Sequence, residues 1–118
     1  FGTVAKTVGE VADIASFNAN LVKLRKLKEQ TIQANPLEVV DGLGKMFLLT
    51  KQEQDLILAN YIRGADDSSY GLLQAITASS KTVPDLNRAT EIERIGGRFL
   101  DYASRYSYGT APALPLAA

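Results

Sequence analysis

Ala89, Ile92, Gly96, Phe99 and Ala103 recur at spacings of +3, +4, +3 and +4. Such residues share a face only on an α-helix, because strand periodicity would scatter them over both sides of a sheet. The stretch that carries the seam, "VPDLNRATEIERIGG", also has helix-start chemistry, with Pro84 in the first turn and Asp85 near the positive end of the dipole. A glycine inside a helix costs about 1 kcal/mol relative to alanine. Gly96 within the seam therefore predicts a close approach by a neighbouring helix backbone.

The same period governs the N-terminal part. In "GEVADIASFNANLVKLRKLKEQTIQ", Ile14, Phe17, Leu21 and Leu24 alternate by three and four, and Leu27 continues the stripe. Asn35-Pro36 ends this segment, since a residue before proline avoids the helical region. After it, Leu37, Val40 and Leu43 or Gly44 make a short stripe weakened by glycine, read as a turn or two of helix before Met46 to Leu49 drop into the core. Thr50 and Glu53 form a capping box, Leu56, Ile57, Asn60 and Tyr61 an inner face, and Gly64 a left-handed terminator. In "DDSSYGLLQAITASS", four N-cap formers precede a stripe of Tyr70, Leu73 and Ile76 or Thr77, widened by Leu72, and a loop follows.

Strand patterning is poor throughout, so the fold class is all-α: a small bundle of about four helices with an irregular C-terminal tail. Residues 1–105 form the bundle domain, and 106–118, which carry two prolines and no charge beyond the last helix, are a tail or linker. The chain opens at Phe1 without an initiator Met and is expected to be a piece of a longer protein.

Composition narrows function mainly by exclusion. The 118 residues contain neither Cys nor His. Disulfide scaffolds, thiolate or imidazole metal sites and Ser-His-Asp catalysis are thereby removed. Thirteen basic residues balance thirteen acidic ones, which argues against a dedicated nucleic-acid binder. No apolar run approaches the ~20 residues of a membrane span.

Each remaining cluster has a functional and an ordinary reading. Lys23, Arg25, Lys26 and Lys28 could contact phosphates, or could be a solvated face without the aromatic platforms that single-strand binders use. Asp66-Asp67 lacks the spaced oxygens of a calcium loop and suits a helix N-terminus. Glu91 and Glu93 diverge by about 200° on a helix and cannot flank one bond. Glu91 can instead pair with Arg88 and with Arg94, each three residues away, while Glu93 lies nearer the seam. The glycines at 42, 44, 71, 96 and 97 make no phosphate-binding fingerprint. Tyr102, Tyr106 and Tyr108 form an aromatic cluster that caps the bundle or docks onto a flanking segment. No catalytic, cofactor-binding or metal-ligating set emerges, so no enzyme is expected.

Tyr70-Gly71, Gln74-Ala75-Ile76-Thr77 and the run from Asp85 to Gly97 resemble the C-terminal region of the phage/plasmid-like protein family, whose members carry a domain of unknown function. That family shows an aromatic-Gly pair, then Asn-Ala-Val/Ile-Thr, then Asp-x-x-Arg-Ala-Thr-Glu-Leu-Glu-Arg-x-Gly-Gly. Gln74 stands here in place of the usual Asn. The resemblance implies a mobile-element context, the cytoplasm of a bacterial host and a helical C-terminal region, and no established reaction.

Two functional expectations follow. The first is a non-enzymatic helical protein-interaction or oligomerisation module of a phage/plasmid-type protein. In it Ala89, Ile92, Gly96 and Phe99 pack helix to helix while Arg88, Glu91 and Arg94 set register, the partner being the rest of the parent chain or a second copy. The alternative is a nucleic-acid-binding module of a DNA replication or recombination (annealing) protein, holding single-stranded or duplex DNA through Lys23, Arg25, Lys26 and Lys28.

Overall fold

A computed structural model of the chain describes the backbone of residues 7–105 and the side chains of residues 17–105. Five helices follow one another: α1 (Thr7–Glu29), α2 (Pro36–Phe47), α3 (Lys51–Gly64), α4 (Ser69–Ser80) and α5 (Leu86–Ser104). The all-α expectation holds with one helix more than the four anticipated. The extra one is α2, whose twelve residues exceed the turn or two expected of a glycine-weakened stretch. Asn35 explains the gain, because its side chain accepts from the Glu38 amide while Pro36 occupies the first turn. The tail expected at 106–118, with Tyr106 and Tyr108, lies outside the described residues.

Caps fix the remaining boundaries. Thr50 and Glu53 satisfy each other's orphan amides at the start of α3, at 3.1 and 2.9 Å. Ser68 caps α4, and Asp85 caps α5 by accepting from Asn87 and Arg88. The left-handed residue after α3 is Ala65 (φ 51), not Gly64, which stays helical. Leu48 is likewise left-handed (φ 56) and 83% exposed. The apolar run at 46–49 therefore does not enter the core whole. Reversing the chain at Leu48 turns Leu49 inward, where its amide donates to the Gly44 carbonyl at 3.0 Å.

One core joins all five helices: Leu27 of α1, Val39, Val40 and Leu43 of α2, Ile57 and Tyr61 of α3, Leu72, Ala75 and Ile76 of α4, and Ile92, Ile95, Phe99 and Ala103 of α5. A short antiparallel bridge clamps the chain after α1 to the chain before α4. Ile32 N–H donates to Asp67 O at 2.8 Å, and Ser69 N–H to Gln30 O at 2.9 Å. Gln30 also donates its side-chain amide to the Ala103 carbonyl at 2.7 Å, so α1, α4 and α5 meet at one end of the bundle. None of the described helices is long and apolar enough to cross a membrane.

Candidate functional site

The α5 seam lies inside the molecule. Ile92 and Phe99 are fully buried, Gly96 is buried and Ala89 half-buried. A Cβ built on Gly96 would stand 3.6 Å from Ile76 Cγ2, 3.7 Å from Leu73 Cδ1 and 3.9 Å from Thr77 Oγ1. Those are ordinary contacts with side chains of α4, so no neighbouring backbone presses on Gly96. The close approaches occur elsewhere: a Cβ on Gly44 would collide with the Gln54 side chain, and one on Gly71 with the Asp66 carbonyl. With α4 of the same chain already against it, the seam offers no surface to an outside partner.

Its charged neighbours are arranged differently from the sequence expectation. Arg88 does not pair with Glu91; its guanidinium makes two 2.7 Å bonds to Glu53 across to α3. Glu53 is nearly buried, and the Arg88 hydrogen bonds hold its carboxyl below the ordinary value, against burial, with help from the Thr50 amide. This fork joins the capping box of α3 to the first turn of α5. Glu91 is shared by Arg94 at 3.6 Å and Arg98 at 3.2 Å, and Glu93 is exposed rather than turned into the seam. Arg98 has no place in the sequence expectation, because seven residues separate it from Glu91 and only its reach back down the helix joins them.

The basic residues of α1 do not make one face. Successive helical residues turn by about 100°, so Lys23 and Lys26 point roughly opposite to Arg25 and Lys28. Lys23 is bound to Asp101 of α5 at 2.6 Å. Lys28 sits 4.8 Å from the centre of the Tyr70 ring, an aromatic contact made across helices and invisible in local sequence. Arg25 and Lys26 are exposed.

The apolar stripe of α1 is buried at one end and bare at the other. Leu27 is fully buried and Leu24 half-buried, whereas Leu21 is 41% and Phe17 62% exposed. The spacing placed all of them on one helical face, and only the C-terminal end of that face is covered: at Leu21 and Phe17 the stripe continues without cover among the described residues. Val22, 49% exposed, flanks it. Ile14 extends the spacing, but its side chain is outside those described.

Between α1 and α5 lies a groove of about 550 Å³, lined by Ala19, Asn20, Lys23, Arg94, Gly97, Arg98, Leu100 and Asp101. Two residues singled out for different reasons, Lys23 and Arg94, thus meet in one place. Compared with protein-family models, curated proteins and solved structures, the chain matches none.

Proposed function

We propose that this chain is a non-enzymatic helical interaction module that self-associates through the exposed stripe of α1 at Phe17 and Leu21. The observation that carries the reading is the uncovered continuation of the stripe at Phe17 and Leu21. Residues 14, 17, 21 and 24 alternate by three and four, the spacing with which two helices interlock knobs into holes. A second α1 offers the matching stripe, which favours a copy of the same chain over an unrelated surface. The resemblance of residues 70–97 to the phage/plasmid-like family supplies the proposed setting, a mobile-element protein of the bacterial cytoplasm.

Magnitudes say the pairing is weak. Covering a half-exposed Phe or Leu gains about 1 kcal/mol, so four such side chains in a pair supply about 4 kcal/mol. Association costs about 4–15 kcal/mol in lost freedom. Those four side chains at best offset the association cost, so a pair at millimolar concentration, worth about 4 kcal/mol net, also requires the stripe positions before Phe17, such as Ile14. Sedimentation equilibrium tests this: a monomer–dimer equilibrium for the native chain, and a monomer at every concentration for Phe17→Ser/Leu21→Ser with its melting temperature kept. A native chain that stays monomeric near millimolar concentration refutes the self-association.

The four α1 cations of the nucleic-acid alternative do not form the single face it assumed: they diverge, and Lys23 and Lys28 are engaged with Asp101 and Tyr70.

A further inference from the structure

We infer that the groove between α1 and α5 is a binding site for the phosphate group of a nucleotide-sized ligand. Three cations line it, Lys23, Arg94 and Arg98. Two carboxylates serve them: Asp101 holds Lys23 at 2.6 Å, and Glu91 alone holds both arginines, at 3.6 and 3.2 Å. The cluster keeps an excess positive charge in a chain whose net charge is zero.

The arginines carry most of the argument. A guanidinium has five N–H donors and no acceptor. Among the described residues Arg98 uses one donor on Glu91, and Arg94 has an ion pair too long for a hydrogen bond. The shared carboxylate draws both side chains together along α5. Their spare donors suit the oxygens of a phosphate, which guanidinium forks bind through paired hydrogen bonds. Both are more than half exposed, so an incoming anion finds them without displacing a buried ion pair.

The rest of the groove gives the ligand room. Ala19 and Gly97 are the small residues where the helices part, and a Cβ on Gly97 would meet nothing within 4 Å. The glycine therefore leaves space rather than relieving a contact. Asn20 adds an exposed amide, and Leu100 an apolar wall. The groove is open to solvent and has room for more than a bare anion. This inference is independent of α1 pairing, because Lys23 and Phe17 face about 120° apart around α1.

Amide chemical-shift titration of the ¹⁵N-labelled chain at physiological salt tests the site with three probes: pyrophosphate, ADP and a short oligothymidylate. The expected result is saturable shifts confined to the amides around residues 19–23 and 94–101. The affinity should fall at least about tenfold in Arg94→Gln/Arg98→Gln, the loss of more than one charge-assisted bond. Gly97→Leu should abolish binding with the melting temperature kept, while Lys81→Gln, at an exposed cation outside the groove lining, should leave it unchanged. Binding of ADP assigns a free nucleotide, and binding of the oligomer alone assigns a polynucleotide as the source of the phosphate. No saturable shift with any probe up to about 1 mM, a dissociation constant worth only ~4 kcal/mol, overturns the inference. So does an equal loss in Lys81→Gln, which marks diffuse charge attraction.

Discussion

Adjacent glycines on α5 should both accept alanine but respond to leucine in opposite ways, and the contrast follows from distances. At Gly96 a new Cβ would lie 3.6–3.9 Å from Ile76, Leu73 and Thr77, in ordinary contact. Gly96→Ala then gains about 1 kcal/mol of helix propensity and up to ~0.8 kcal/mol from one buried methyl. At about 4 °C per kcal/mol for a domain of this size, the melting temperature rises by roughly 4–7 °C. Leucine at the same position adds three more carbons where α4 already fills the space, and overpacking costs about 1–3 kcal/mol. Gly96→Leu is therefore destabilised despite its better propensity. Gly97 has nothing within reach of its Cβ, so Gly97→Ala gains the ~1 kcal/mol of propensity alone. Gly97→Leu should also fold at least as stably as the native chain. Thermal unfolding by circular dichroism of the four variants reads the pattern directly. A loss of stability in Gly96→Ala would refute the reasoning, since it would mean that α4 lies closer to α5 than contact distance. A loss in Gly97→Leu would refute the open groove.

Two further predictions concern pH and charge. Glu53 has its carboxyl held below the ordinary value by Arg88. Its contribution is therefore present above the unfolded value of 4.5 and lost as pH falls through the lowered folded one. Arg88→Met should cost about 2 kcal/mol at pH 7, less than a fully buried pair because Arg88 is 37% exposed. Acid titration of stability for Glu53→Gln should be flatter below pH 4.5, and an unchanged acid limb would show the pair to be idle. Tyr61 is pushed up to about 12 by burial, and further by the charges of Asp67 and Asp66. Its neutral form is favoured in the fold, so its stabilisation is complete below pH 10 and lost between 10 and about 12. Tyr61→Phe should remove that alkaline loss in denaturant melts, and the same alkaline slope in the variant would contradict the assignment.

What sequence could show was local. The capping box at Thr50 and Glu53, the first-turn Pro36 and the seam through Ile92, Gly96 and Phe99 are all set by spacing within one helix, and each is found in the structure. What it could not show depends on which helix lies opposite. Glu53 and Arg88 are 35 residues apart, and only the packing of α3 on α5 makes them partners. Periodicity marked Phe17 and Leu21 as apolar-face residues, but whether that face has a neighbour is decided by which helices pack beside it, and both are exposed. Gly44 and Gly71 closely approach Gln54 and Asp66, while Gly96 and Gly97 do not need glycine for clearance. Identity alone does not tell these cases apart. Left-handed Leu48 and Ala65 carry no glycine signal at all. The groove escaped sequence reading because its cations come from two helices separated by most of the chain.

Self-association requires that α1 meet α1. The chain has no cysteine, so one introduced at Leu21→Cys is a clean reporter, and oxidation traps even a weak pair because disulfide formation removes it from equilibrium. Ile62→Cys on α3, 58% exposed against 41% for Leu21 and so at least as accessible, is the reference. If α1 pairs with α1, mild oxidation gives rapid covalent dimer from the Leu21→Cys chain, suppressed by adding Phe17→Ser, and slow dimer from Ile62→Cys. Equal rates at the two positions would contradict that pairing.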